Sequence, residues 1–329
     1  SMPWIVDVKS EDVAALIFDC DGDSDNDLYV VSGGNELPAG SPEYNDRLYL
    51  NDGKGKFTKA LDALPDLPVS GSRVIPADID EDGDTDLFVG GRQVPGQYPE
   101  PASSFILINE SNESGNPVFS NKTFEIAPEL INFGMVTDAV WSDFDGDGDP
   151  DLIITGEWMP ISVFENNRGN FENITVKLGL QNEVGWWFSI EKADFDGDGD
   201  DDYVVGNLGE NYKYKATSEE PFTIHYIDYD NNGRKDIILG YYNFGEHYPF
   251  IGRMRSVAQV PALNDKFPTY DDFARAKLSD VYSKTLLDKA LNYNAKTFSS
   301  KYMENQGNGK FKLSRLPAMA QISPINDFI

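Results

Sequence analysis

Along this chain, short continuously apolar runs each follow a nine-residue stretch in which Asp or Asn recurs at every second position. The apolar runs are LYVVSG, LFVGG, LIITG, YVVG and IILG. The stretches before them are DCDGDSDND (19–27), DIDEDGDTD (78–86), DFDGDGDPD (143–151), DFDGDGDDD (194–202) and DYDNNGRKD (228–236). Apolar runs of this length, rich in β-branched residues and bounded by turn formers, predict strands covered on both faces. Further along each unit, apolar and polar residues alternate, as in RLYLND and FTKAL around GKGK, or PISVFEN and FENIT around NRGN. Alternation of period two predicts half-exposed strands. The unit is therefore strand, acidic loop, strand, long connection, strand, Gly-rich turn, strand. No strand–helix alternation runs through the chain, which excludes a doubly wound parallel sheet. Loop starts lie 59, 65, 51 and 34 residues apart. An all-β fold of radially repeated, four-stranded antiparallel blades, a β-propeller, is the expected architecture.

The repeats map to roughly 13–61, 72–123, 136–175, 187–220 and 222–316 within a single propeller or propeller fragment, 1–329. About 25 residues separate the fourth and fifth loops, so the fourth blade is expected to be short or irregular. The fifth carries a helical insert, 253–297, with one or two amphipathic helices near 265–291; TYDDFARAKLSDVYSKTLLDKAL (269–291) carries the pattern. KYMENQ, GNGK and FKLSRL are read as the outer half of that fifth blade. Residues 4–8 read as the outer strand of an earlier blade and 320–329 as the inner strand of a later one. These ends either belong to a longer array or meet to close a ring. Ser1-Met2 reads as an appended start, and no signal-peptide apolar region follows it.

Carboxylates at this density repel one another unless a hard cation with a large oxygen shell sits among them. Acids at loop positions 1, 3 and 5, a backbone carbonyl at 7 and a further acid at 9 suit Ca²⁺ better than Mg²⁺, which prefers to retain waters. The expected ligand positions are Asp19, Asp21, Asp23, Asp25 and Asp27 in the first loop and Asp78, Asp80, Asp82, Asp84 and Asp86 in the second. The third offers Asp143, Asp145, Asp147, Asp149 and Asp151, and the fourth Asp194, Asp196, Asp198, Asp200 and Asp202. The fifth offers Asp228, Asp230, Asn232, Arg234 and Asp236, with less negative charge and weaker expected binding. Gly83, Gly148, Gly199 and Gly233 hold position 6, where a sharp turn is needed; the first loop departs, with Ser24 there. EF-hands are excluded, because no helices flank the loops and no Glu stands at position 12. Four to five ions are expected.

Charge supports this account. Of 56 Asp and Glu, 25 lie in the five loops, and five Ca²⁺ would bring the formal charge from −29 to −19. The remaining acidity argues against nucleic acid, and no apolar run is long enough to insert in a membrane. The single cysteine, Cys20, stands at loop position 2, where the other loops place Ile79, Phe144, Phe195 and Tyr229. It is expected to be a buried small hydrophobe.

The acidic loop, the apolar strand after it and the hairpin RLYLNDGKGKF (47–57) resemble FG-GAP/VCBS repeats over nearly the whole chain. Such repeats form integrin α-subunit head propellers and occur in bacterial surface proteins. GGRQVPGQYP, GEWMPI and GNLGENYKYKA are similar to tandem FG-GAP proteins of bacteria, some with an ASPIC/UnbV module. The resemblance implies calcium loops and an extracellular or cell-surface location, with further domains flanking this chain.

The long connections leave the end of the strands opposite the acidic loops, and loops on a rigid scaffold commonly carry function. They bring Arg92, Trp158, Asn207, Tyr241, Tyr242 and His247 toward one mouth, a set suited to stacking on and hydrogen bonding to a glycan or a protein loop. Trp186 and Trp187 precede an inner strand and read as core. The chain has two histidines, His225 and His247, and lacks HExxH, a P-loop, a nucleophile elbow and a dinucleotide fingerprint. A binding or adhesion module is the leading expectation. A lyase-like enzyme using Tyr248, His247, Arg253 and Arg255, or a structural spacer, remain the alternatives.

Overall fold

The computed structural model describes residues 3–111, 117–307 and 309–328. Ser1-Met2, residues 112–116 of the second repeat, Asn308 of the GNGK turn and Ile329 lie outside the described residues. The architecture is all-β and antiparallel, with few and short helices.

Three sheets follow the expected unit in order. The first is β1 (Glu11–Phe18), β2 (Asp27–Gly33), β3 (Arg47–Asn51) and β4 (Phe57–Lys59). The second is β5 (Ser70–Ala77), β6 (Asp86–Gln93), β7 (Phe105–Asn109) and β8 (Phe119–Asn121). The third is β9 (Met135–Ser142), β10 (Asp151–Pro160), β11 (Ser162–Asn166) and β12 (Phe171–Asn173). Each pairs its strands in chain order, with an acidic loop joining the first strand to the second. β2, β6 and β10 are almost wholly buried, as their unbroken apolar sequences require.

The fourth sheet departs from local order. β13 (Val184–Ala193) and β14 (Asp202–Asn207) flank the fourth loop. The chain then leaves to build β15 (Phe222–Ile227), β16 (Asp236–Asn243), β17 (Glu246–Pro249) and β18 (Leu291–Ala295). It returns as β19 (Lys301–Asn305) and β20 (Phe311–Arg315), and β19 pairs with β14 in the register Val204↔Tyr302. KYMENQ and FKLSRL thus complete the fourth sheet and not the fifth. The shortage of residues after the fourth loop is met by nesting the fifth unit inside the fourth. The fifth sheet has the order β17-β16-β15-β18, with its first strand inside.

Apolar clusters join neighbouring sheets. Phe18, Tyr29, Val74 and Leu107 pack between the first and second, Phe88, Ile106, Val136 and Leu152 between the second and third, and Ile153, Val163, Ile190 and Val205 between the third and fourth. The third and fourth also pair directly, Glu157 facing Trp186. The fifth sheet instead meets the ends of strands in the third and fourth, through Phe222, Ile224, Trp158 and Phe298.

Both chain ends differ from expectation. Pro3–Asp7 is a 3-10 helix; Trp4 sits edge-on to Tyr49 at 5.9 Å, and Asp7 accepts hydrogen bonds from Tyr49 and Lys59 at 2.7 Å. Ala318–Gln321 is another, held where Gln321 bonds the backbone of Ser300, and Ile325 N–H then donates to Asn207 O. Local side-chain anchors hold these segments, and they do not meet as strands. The helical insert is also more broken than its periodicity predicts. Tyr270–Arg275, Leu278–Val281 and Lys284–Leu287 are separate turns, because Ala276 and Tyr282 adopt extended backbone. Each turn contributes to one small core: Phe273, Leu278, Val281 and Leu287 pack with Ile238.

Candidate metal centres

Each acidic loop folds upon its own carboxylates. In the third, Asp143 accepts the backbone N–H of Gly146 at 2.8 Å and of Gly148 at 3.1 Å. Asp145 accepts from Asp147 and Asp147 from Asp149, at 3.3 and 3.0 Å. Asp151, buried at the start of β10, accepts from Phe144 N at 3.2 Å and from Asn166 N at 2.8 Å. The other loops repeat the position 1 contacts: Asp19 accepts from Gly22 and Ser24, Asp194 from Gly197 and Gly199, Asp78 from Gly83, and Asp228 from Gly233.

One carboxylate oxygen from positions 1, 3 and 9 comes within 4.8 Å of its two partners in every loop. The groups are Asp19, Asp21 and Asp27; Asp78, Asp80 and Asp86; Asp143, Asp145 and Asp151; Asp194, Asp196 and Asp202; and Asp228, Asp230 and Asp236. Positions 5 and 7 lie outside these groups. At position 5, Asp23, Asp82, Asp147, Asp198 and Asn232 each accept the N–H of position 7. Asp149 at position 7 turns its carboxylate to Arg168 N–H in the hairpin, at 2.8 Å.

Electrostatics of the groups suit a cation. Burial pushes the Asp151 carboxyl up to about 7 and that of Asp86 up to about 6, despite two backbone hydrogen bonds lowering each. Neighbouring loop acids add to the rise. A hard divalent ion among oxygen donors would remove that penalty. Positions 1, 3 and 9 would hold it, supplying charge neutralisation and a crosslink between the loop and the second strand.

Two features of these loops escaped the reading of the sequence. First, position 4 as well as position 6 takes left-handed backbone in all five: Gly22, Glu81, Gly146, Gly197 and Asn231 at position 4, with φ between 58° and 83°. Three glycines and an asparagine in one column were the available signal. Ser24 at position 6 has φ 72°, so the first loop keeps the common geometry with a strained residue. Ser24→Gly and Glu81→Gly are each expected to raise stability by about 0.5–1 kcal/mol, as chemical denaturation would measure. Second, the Asn ending the third strand of sheets one to four donates its N–H to position 9: Asn51 to Asp27, Asn109 to Asp86, Asn166 to Asp151 and Asn305 to Asp202, at 2.7–2.9 Å. Asn109 and Asn305 also reach the preceding loop, at Cys20 O and Phe144 O, tying neighbouring loops together. Cys20 is buried and unpaired with another cysteine, as expected.

The six mouth residues are brought toward one region, but mostly as packing. Trp158 stacks on Phe222 at 6.0 Å and 16°, and its Nε1 donates to Tyr98 Oη at 2.6 Å. Tyr98 donates to Glu157, which pairs with Arg92 at 2.5 Å. Asn207 is fully buried, and its amide donates to Thr297 O. Trp158 and Asn207 join the fifth sheet and its flanks to the rest and are buried, while Arg92, half-buried, is committed to Glu157 between the second and third sheets. Residues of the fifth sheet, Phe222 and Ile224, pack against Trp158 there. Trp187 is core, as expected, while Trp186 is half-buried beside Trp158.

Tyr241 and Tyr242 stay partly exposed. Tyr242 stacks on His247 at 4.5 Å and 5°, and His247 Nε2 lies 3.1 Å from Thr223 Oγ1. Burial, then the nearby His225 ring 6.4 Å away, holds His247 down at about 4. An unfolded histidine takes its proton near 6.5, so the unfolded chain binds more protons below that pH. The stabilisation is complete above about 6.5 and declines as pH falls toward 4. Melting temperature measured from pH 7 to 5 at fixed calcium should therefore drop further in the wild type than in His247→Gln. Parallel profiles would contradict this.

A family model described as FG-GAP-like repeat matches residues 19–89 and 143–205, which contain the first four acidic loops whole. The FG-GAP-like repeats read from the motif are thus found independently in two regions of the chain. Cartilage acidic protein 1 of Homo sapiens and of Mus musculus are each 33% identical over 147 residues, covering 42% of this chain and 21% of those proteins. The match thus spans about a fifth of the length of these curated relatives. Among solved structures, the V. cholerae biofilm matrix protein Bap1 aligns over 92% of this chain and 55% of its own, at 11% identity and a TM-score of 0.30. No helix among the described residues is long and apolar enough to cross a membrane.

Proposed function

We propose that this array of FG-GAP-like repeats is a calcium-stabilised extracellular binding module, its sheets arranged as propeller blades and its working surface at the end opposite the acidic loops. The observation that carries the metal reading is the fivefold recurrence of three convergent carboxylate oxygens at positions 1, 3 and 9. An all-oxygen set with several carboxylates favours Ca²⁺ over Mg²⁺ and over metals that seek nitrogen or sulfur. Extracellular calcium modules bind at roughly 10⁻⁴ to 10⁻³ M, so such sites fill outside the cell and stay empty in cytosol. The similarity to cartilage acidic protein 1 over 42% of the chain supports the same setting.

The opposite end is favoured as the working surface because it carries the long, individual connections and the nested fifth unit. Calcium-side hairpins are short and committed to the loops, as Arg168 N–H is to Asp149. A glycan or a protein loop is the ligand class such a surface suits. Differential scanning fluorimetry across 10 µM to 10 mM calcium tests the metal reading. The expected result is a melting temperature that climbs through the upper half of that range and does not respond equally to magnesium. A melt indifferent to calcium would overturn it.

A further inference from the structure

We propose that the cleft between the β16–β17 hairpin and the helical insert is a binding site for a neutral pyranose oligosaccharide. It lies in the fifth unit and encloses about 330 Å³, within the range of small-ligand sites and sufficient for one or two sugar rings. Tyr241 and Tyr248, cross-strand partners with rings 6.2 Å apart, form one wall. Phe273 and the exposed ring of Tyr270 come from the insert. Tyrosine offers an apolar face for the C–H side of a pyranose and a hydroxyl for its oxygens, at little cost in side-chain freedom.

The lining also argues for the ligand's charge. The chain carries 56 acidic residues, yet no carboxylate is among the described residues lining the cleft. Its one cation, Arg253, is already engaged: Nε donates to Phe267 O at 2.6 Å, and Nη2 to Asn264 Oδ1 at 2.8 Å and Pro268 O at 3.3 Å. That guanidinium lies 5.4 Å from the Tyr270 ring centre and holds it in place. Those acceptors are neutral, so the guanidinium keeps its charge, but its Nε and Nη2 are committed to the insert and it lies against Tyr270. Four of the nine lining residues are aromatic and one is charged, so the ligand is recognised chiefly by stacking and hydroxyl contacts. A proline-rich peptide could also stack on tyrosines, but a short, half-open cleft of this volume fits one or two rings better than an extended helix of about 3.1 Å per residue.

Gly252 provides a clean block. Its backbone is extended, φ −70° and ψ 162°, and a Cβ built on it meets no atom within 4 Å. Gly252→Leu therefore starts a side chain at the cleft lining from a Cβ that has room, while Tyr270→Ala removes an exposed stacking ring. The site rests on the reading that this end of the array is the working face, and not on the metal reading.

The test is saturation-transfer NMR on the full chain in 2 mM calcium, with gluco-, manno- and galacto-oligosaccharides of two to four units as probes. An oligogalacturonide and a proline hexapeptide serve as comparison probes. The expected result is transfer to ring protons of at least one neutral probe, reduced at least fivefold in both Gly252→Leu and Tyr270→Ala, whose melting temperatures stay within 2 °C of wild type. No transfer to any neutral sugar, stronger transfer to the oligogalacturonide or the peptide, or transfer unchanged in a folded variant would overturn the proposal. Because melting against calcium is read separately, sugar binding by a chain whose melt ignores calcium would sink the metal reading alone.

Discussion

Asp151→Ala is expected to destabilise the calcium-loaded protein by about 2–6 kcal/mol, because it leaves two buried N–H donors without acceptors at about 1–3 kcal/mol each. Those donors are Phe144 N and Asn166 N, and the carboxylate between them is buried. The metal contribution is lost as well. A site of Kd about 10⁻⁴ M at about 1 mM calcium adds on the order of 1.4 kcal/mol by mass action. Asp149→Ala and Arg234→Ala give the contrast. Both residues lie outside the convergent groups; Arg234 is exposed, and Asp149 is half-buried with one solvent-side hydrogen bond from Arg168 N–H, so each change should stay within about 0.5–1 kcal/mol. Asp151→Asn separates the two contributions of Asp151. Without calcium, the amide oxygen keeps one of the two N–H donors while its NH2 faces the other, so the change should cost about 1–3 kcal/mol there, less than Asp151→Ala, and lose the calcium response of that loop. Denaturant titrations with and without EGTA would measure both, and equal losses in Asp151→Ala and Asp149→Ala would contradict the assignment of position 9.

Trp158→Ala should cost about 3–5 kcal/mol, the range for deleting a buried tryptophan. Trp158 packs between Trp186 and Phe222 and donates to Tyr98. It holds the fifth sheet to the ends of the third and fourth. Loosening should therefore concentrate in residues 208–300, which leave the fourth sheet and return to it. Hydrogen exchange is expected to rise in β15 to β18 while β5 to β8 retain protection. A ligand-contact role would predict the reverse, with stability nearly unchanged. Uniform loss of protection across all five sheets would also count against the nested arrangement.

The acidic loops were legible because their determinants are local. Nine residues specify a turn, its donors and its acceptors, and position 9 is fixed by the strand it begins. The nesting was not legible. β14 and β19 pair across about a hundred residues, Val204 facing Tyr302, and no local periodicity reports such a partner. A trace existed nonetheless: Asn305 repeats the role of Asn51, Asn109 and Asn166, and the sequence places it after the fifth loop although it serves the fourth. The mouth was misread for a different reason. Trp158, Asn207 and Arg92 have the chemistry of a binding rim, and composition alone cannot distinguish a rim from a seam between sheets. Asn207 shows how far the two differ, with its side chain spent on backbone groups of 297 and 299.

Native mass spectrometry of the purified chain, exchanged into volatile buffer containing 1 mM calcium and then into buffer with EGTA, counts the ions directly. The account predicts four to five calcium ions per chain in the first condition, loss of them in the second, and one fewer ion in Asp151→Asn than in wild type. A chain that carries no calcium at 1 mM, or whose count is unchanged by Asp151→Asn, would contradict it.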